Sequence, residues 1–409
     1  MDLRDGCPFW STLEHDTPTY PRLEHDTHCD IVVIGAGISG SLVAYKLGQR
    51  GANVVVLDRR APSTGSTVAS TGLLQYEIDT PLVELSEMIG QTNARRAYRA
   101  SFDALDQFAS LVESLDSDCQ LIPRSSLFLA AEDSDVPILL AEQQARQEIG
   151  LEVEFLDAAS LKQSFGLTRP AALFCPSAAE VNPYRLALRL IECAVQRHGV
   201  RVFIGTRVTH YHPDSTGVTV RTADGLNVRC RKVVFATGYE TPEFLDRQIC
   251  TLKSTYAFTS QVLTAEQKHT WRDTCLIWES ADPYFYARTT ADGRAMVGGE
   301  DDDVLDPDER AARLPDKVAT LVRKFNRLFP HIPLHPQFTW AGTFAETKDG
   351  LPYIGTTPQF PHGYFALGYG GNGITYSLIA ANVICDLYFE RPNPLADLFR
   401  FDRKIGGGK

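Results

Sequence analysis

Apolar residues along this chain follow three rhythms, and each predicts a different element. Short unbroken runs, "DIVVIG" at 30–35 and "NVVVLD" at 53–58, read as strands buried on both faces, because no polar position alternates with the apolar ones. Apolar positions spaced i, i+3, i+4 predict helix over 81–116, 133–164, 182–199 and 306–330. The third of these has Pro183 at its start, where the missing N–H costs nothing, and the fourth is ended by Pro330. Alternating and aromatic-rich stretches, "STYAFTSQVL", "CLIWES", "YFYARTT" and "RAMVGGE", occupy 254–300 and predict an antiparallel sheet. Further strands are expected at 121–131, at 200–212 and in a hairpin turning at Asp224-Gly225. The last of that group runs into Ala236-Thr237-Gly238, small residues where a strand leaves a sheet.

Between the two buried runs stands "GAGISGSLVAYKLGQRG", with Gly35, Gly37 and Gly40 in G-x-G-x-x-G spacing. Strand, glycine turn, helix and strand within about 30 residues form a dinucleotide-binding unit. Gly35 permits the tight turn, Gly37 lets backbone approach a pyrophosphate, and Gly40 lets helix and strand pack closely. Asp58 ends the second strand, where a carboxylate accepts from a ribose diol and disfavours a 2′-phosphate even beside Arg59 and Arg60. These residues leave NAD and FAD equally open. A second strand, glycine loop and helix, "YFALGYGGNGITYSLIAAN" at 364–382, is built to hold something negative at its helix N-terminus.

The order of elements predicts an α/β protein with a discontinuous Rossmann-type domain built from 1–80, 171–245 and 341–409. The interrupting segments 81–170 and 246–340 form a substrate domain with a mostly antiparallel sheet and helices. A length of 409 residues permits two such domains, and 44% hydrophobic with 22% charged residues is the balance of a globular protein. The net charge of −11 argues against nucleic acid or an anionic membrane as partner. Nine cysteines without CxxC spacing suit reduced thiols and no metal site. No apolar run reaches the ~20 residues of a membrane span, so a cytoplasmic enzyme is expected.

Taken together, the first glycine fingerprint with Asp58, "VNPYRLALRLIECAVQRHGVRVFIGTRV", "VVFATG", "LPYIG" and the late glycine loop resemble the D-amino-acid oxidase/glycine oxidase family of FAD-dependent oxidoreductases. The resemblance spans nearly the whole chain in the expected order. It implies FAD, oxidation of a small amine or amino acid to an imine, and O2 or another electron acceptor. The implied cofactor set is Gly35, Gly37, Ile38, Ser39, Gly40, Asp58 and Arg59 at the first loop. Ser66, Ser70, Thr71, Gly72 and Leu73 follow along the pyrophosphate and one flavin face, with Val208 at adenine and Thr237 and Gly238 after their strand. Gly370, Gly371, Asn372, Gly373 and Ile374 then lie under the flavin's pyrimidine end, where backbone N–H groups stabilise the reduced ring.

The chain departs from its relatives at the substrate side. Phe344 stands where the family carries an arginine that binds the substrate carboxylate. Simple α-amino acids thereby lose their anchor, unless Arg288 replaces it, and a non-α-amino-acid amine is favoured. Glu346 is then a candidate for holding a substrate ammonium, with Lys348 as a competing partner. Tyr76 and Gln75 are candidate pocket residues, and Tyr286, with Tyr256, Tyr284 and Trp340, a candidate aromatic wall. The lysine that activates oxygen in some relatives aligns with Met296, which leaves oxidase and dehydrogenase open. Other relatives attach the flavin to a late cysteine; none occurs from 276 to 384, so FAD is expected to be non-covalent. A flavin-dependent oxidase or dehydrogenase of an α-amino acid or 2-hydroxy acid, and a catalytically idle flavoprotein, are the alternative readings.

Overall fold

A computed structural model describes residues 2–13 and 17–406. Residues 1, 14–16 and 407–409, within the first and last segments expected for the nucleotide domain, lie outside it. The two buried runs pair in parallel as Ile31–Ile34 and Val54–Leu57. They sit near the centre of a six-stranded sheet that continues through Lys232–Phe235, Gly363–Leu367 and Tyr353–Gly355 on one side and Arg201–Phe203 on the other. All its pairings are parallel except that of Tyr353–Gly355. Helices Ile38–Gln49, Pro183–His198 and Gly373–Tyr388 pack beside it. A four-stranded sheet, from Val208–Asp214 to Thr27–His28, lies next to it and carries the Asp224-Gly225 hairpin.

The second layer is a ten-stranded sheet. Nine strands run from Arg4–Gly6 through Pro336–Glu346, Thr251–Val262, Arg294–Asp302, Phe285–Thr289, Leu276–Glu279, Ile122–Leu129 and Ala171–Glu180 to Leu73–Leu74, and the tenth, Glu154–Asp157, pairs with Ala171–Glu180 off this path. All pairings are antiparallel except that between Leu276–Glu279 and Ile122–Leu129. Segments flanking the nucleotide fold therefore cross into this sheet at Leu73–Leu74, Ala171–Glu180 and Pro336–Glu346. The crossings bring the two layers together around one cleft.

The helical expectations hold with two interruptions. The stretch 81–116 divides into Leu82–Ile89 and Gln91–Glu113 at Gly90, whose φ of 84° lies outside the helical region. The stretch 133–164 contains the strand Glu154–Asp157, which pairs with Ala171–Glu180 between helices Val136–Glu148 and Ala158–Phe165. Periodicity over so long a window averages across such a break. Among the described residues, no helix is long and apolar enough to cross a membrane.

Candidate active site

Two cavities meet in the cleft. The larger, of about 310 Å³, runs from Asp58, Thr206 and Val208 past Gly35, Gly37, Ile38 and Ser39 to Gly370, Gly371, Gly373 and Ile374. The smaller, of about 150 Å³, opens from the same place toward the ten-stranded sheet. Ser66, Ser70, Tyr239, Gly370 and Gly371 line both, so the two form one continuous space.

The first loop is shaped by the absence of side chains. A Cβ on Gly40 would sit 1.8 Å from the Gly35 carbonyl oxygen, and one on Gly35, at φ +108°, would sit 2.4 Å from that of Ala236. Asp58 ties the turn down: its carboxylate accepts from the Ala36 and Arg60 N–H groups, each at 2.7 Å. Burial raises its carboxyl above the usual range, opposed by those two hydrogen bonds. Arg59 and Arg60 line the cavity and pair with Glu240, Arg60 at 2.8 Å. The Ile38 N–H donates to Thr67 Oγ1 at 3.0 Å, and Ser39 Oγ meets Ser377 Oγ at 2.7 Å. Thr237 and Gly238 line the wall, with the Thr237 hydroxyl 2.7 Å from that of Thr241.

The segment 66–74 passes along both cavities and is held from behind by two buried tryptophans. Trp10 Nε1 donates to the Ser70 carbonyl at 2.6 Å and Trp340 Nε1 to that of Ala69 at 2.8 Å. Thr71 and Leu73 line the smaller cavity. Gly72 does not line either: at φ +71°, its Cβ position is 2.3 Å from the Val181 carbonyl oxygen. Its lack of a side chain thus serves packing within the sheet, correcting the expectation that it faces the ring.

The late loop behaves differently from its sequence reading at one residue. Asn372 lines the smaller cavity, but its side-chain amide donates to the carbonyls of Gln75 and Glu77 at 2.9 and 2.8 Å. It therefore fastens the 75–77 segment and is not a free donor. The Gly371 N–H donates to Asp79 Oδ2 at 2.7 Å, and a Cβ there would meet Asp79 Oδ1 at 2.5 Å.

Three of the four expected catalytic side chains lie elsewhere. Arg288 is buried beneath the 71–72 backbone, where Nη1 donates to the carbonyls of Thr71, Gly72 and Val181 at 3.0, 2.7 and 3.1 Å. Burial lowers its pKa to about 10, and Glu180 opposes that shift. Nη1 and Nε are engaged by backbone carbonyls and Glu180 stands 3.5 Å from Nε, so the side chain is held beneath this backbone and does not line the smaller cavity. Glu346 pairs with Lys253 at 3.0 Å, its side chain 40% exposed, and does not line the cavity; Lys348 is not the partner. Tyr76 is fully buried with its hydroxyl on Cys175 Sγ at 3.2 Å. Tyr286 does line the cavity; burial pushes its hydroxyl up to about 12. Tyr256 bonds Asp302 within the core, Trp340 holds Ala69, and Met296 is fully buried.

The smaller cavity is walled instead by Trp278, Tyr239, Tyr284, Tyr286 and Phe344, with the carboxylates of Glu77 and Asp79. Among the described residues, no lysine, arginine, histidine or cysteine lines it. Asp79 is open to the cavity, yet protein encloses it closely enough that burial raises its carboxyl. Behind the wall, burial pushes Asp301 up to about 7, with Glu346 and Asp79 adding to the shift and Thr255 and Lys253 opposing it. Trp278, Tyr239, Glu77 and Asp79 were not expected, although the signal existed. In "QYEID" (75–79), polar Gln75, Glu77 and Asp79 alternate with fully buried Tyr76 and Ile78, as in an extended segment with one face on a cavity.

The shape of the larger cavity, its glycine-lined turn at a helix N-terminus and its acidic strand end fit a dinucleotide such as FAD. The sequence is 27% identical over 380 residues to Gamma-glutamylputrescine oxidoreductase of Escherichia coli, covering 90% of this chain and 85% of that protein. It is 24% identical over 389 residues to Glycine oxidase of Geobacillus kaustophilus, covering 92% and 97%. The crystal structure of the latter enzyme superposes with a TM-score of 0.76 at 20% identity, over 93% of this chain and all of that one. Residues 30–387 match the family described as FAD dependent oxidoreductase (DAO). The chain belongs to this family: it is an FAD-dependent oxidoreductase.

Proposed function

We propose that the protein oxidises a C–N bond of a small amine that carries no α-carboxylate. The observation that carries this reading is the lining of the smaller cavity, which has Phe344, four other aromatic rings and two carboxylates but no cationic side chain. A substrate carboxylate desolvated there would meet like charge and no fork-shaped donor, whereas a cationic amine meets π faces and acids. That one relative is a Gamma-glutamylputrescine oxidoreductase and another a Glycine oxidase is consistent with amine chemistry of either kind.

In this reading the first loop, from Gly35 to Ser39, would hold the pyrophosphate of FAD, Asp58 and Val208 its adenosine end, and the loop 370–374 its flavin end. The flavin supplies the hydride acceptor when bound. The protein's part is to orient the amine and to exclude water, so that the α-C–H points at the acceptor. Tyr239, Tyr284, Tyr286 and Trp278 provide the apolar enclosure. The Gly370–Gly373 backbone at the start of helix Gly373–Tyr388 favours negative charge beside it.

The test is an anaerobic flavin spectrum titrated with simple amines and with α-amino acids. Bleaching by amines lacking an α-carboxylate supports the reading. Bleaching by glycine, proline or D-alanine alone overturns it.

A further inference from the structure

We infer that Glu77 binds a second nitrogen of the substrate, one that stays protonated, so that the smaller cavity takes a diamine or longer polyamine. This rests on the amine reading above and narrows it. Glu77 is only 3% exposed yet lines the cavity. One carboxylate oxygen accepts from the Ser126 hydroxyl at 2.5 Å, and the other, Oε2, has no hydrogen-bond partner. An unpartnered buried carboxylate oxygen is costly, and no cation lines this cavity to offset it. Behind Glu77 the Cys175 thiol lies within hydrogen-bonding reach of its carboxylate, and Arg146 reaches that thiol at 3.8 Å with Nε paired to Glu142 at 2.7 Å; among the described residues this guanidinium makes no ion pair with Glu77, although its Nη2 is itself without a partner. The Glu77 backbone is meanwhile fixed by Asn372, so the carboxylate stands in a built position. Two donors on the same lining, Gln75 Nε2 and Trp278 Nε1, are also buried without partners.

The chemistry decides which nitrogen this carboxylate suits. Hydride leaves the α-carbon readily only when the adjacent nitrogen is neutral, because its lone pair supports the forming imine. A buried carboxylate touching that nitrogen would favour its protonated form and raise its pKa. Glu77 is therefore mismatched to the reacting amine and matched to a different nitrogen that stays charged. Asp79, on the same face two residues on and open to the cavity, adds a second negative site for a longer polyamine. The aromatic walls, including Trp278 stacked on Phe128 at 3.9 Å, favour a cationic chain passing between them.

The test compares 1,4-diaminobutane, butylamine and N-acetyl-1,4-diaminobutane by anaerobic bleaching of the holoenzyme. The wild-type protein is expected to half-saturate with the diamine at a concentration about 10- to 100-fold below that for either analogue, the range of one charge-assisted hydrogen bond. Glu77→Gln, which keeps the shape and the Ser126 contact, is expected to bring the three to within about 3-fold by weakening the diamine toward the two analogues. Equal half-saturation by all three amines in the wild type overturns the inference, as does a diamine preference that survives in Glu77→Gln. The acetylated analogue removes the distal charge without touching the protein, so the inference can fail even if the variant loses its flavin. If these amines leave the flavin oxidised while α-amino acids bleach it, the amine reading itself is wrong. If butylamine bleaches as well as the diamine, only the diamine inference is wrong.

Discussion

The two halves of the cleft are built on different principles. The larger cavity is shaped by backbone: glycines at 35, 37 and 40, a helix N-terminus, and a carboxylate that braces the turn. The smaller one is shaped by side chains that arrive from five separated stretches, around 66–79, 239, 255–286, 342–344 and 370–372. A backbone site tolerates almost no substitution at its glycines but serves any relative that binds the same dinucleotide. A side-chain site can change its substrate through one residue while the fold stands. Phe344, on the lining of the smaller cavity, is the residue at which we expect such a change.

The most damaging way to break the first half is Gly40→Val. With a Cβ forced to within 1.8 Å of the Gly35 oxygen, the strand and helix cannot pack; we expect no flavin-containing protein by absorbance. Trp10→Ala should hurt both halves, because Ser70, whose carbonyl this indole holds, lines both cavities. A fully buried tryptophan cut to alanine costs about 3–5 kcal/mol, which should appear as a large fall in Tm together with a lower flavin content. Phe344→Arg should separate the halves. The flavin spectrum should remain, binding of cationic amines should weaken by about 10-fold or more, and α-amino acids should begin to bleach the flavin.

A gentler probe is pH. Asp301 is pushed up to about 7 in the folded protein, above its unfolded value of about 4. The folded state thus binds that proton more tightly, so this group's contribution is fully present below about pH 4 and is lost as pH rises toward 7. Asp301→Asn should flatten the fall in Tm between about pH 4 and about pH 7; an unchanged slope would mean the carboxyl is not so enclosed. The smallest effect is expected from Lys253→Ala. It removes a partly exposed pair with Glu346 outside both cavities, a change of about 0–1 kcal/mol, with amine half-saturation nearly unchanged.

How much of this was legible follows the same division. Gly35, Gly40 and Asp58 could be read from spacing because their roles are local: the turn, the helix and the strand end lie within 25 residues of one another. Tyr286 was legible only as one aromatic among several on a strand, and nothing local distinguished it from Tyr256, which faces the core. Arg288 shows the limit most clearly. Its side chain is that of a carboxylate anchor, but three distant carbonyls converge on it, and only pairing between 71–72, 181 and 288 reveals them. Glu346 was placed near the pocket by order along the chain, and Lys253, 93 residues earlier, draws it to the rim through the register Thr251↔Glu346.

The sequence by itself determined the dinucleotide fold and the family, since each is a matter of residue type at short range or of motif order. The tertiary structure decided which acids face the smaller cavity. Glu77 and Asp79 share a segment with buried Tyr76 and Ile78, and alternation alone says only that the two pairs face opposite ways. Which face meets a cavity and which meets the core depends on Asn372 and Gly371 gripping that segment from nearly 300 residues away. That long-range pairing is a property of the packed chain, and no local pattern encodes it.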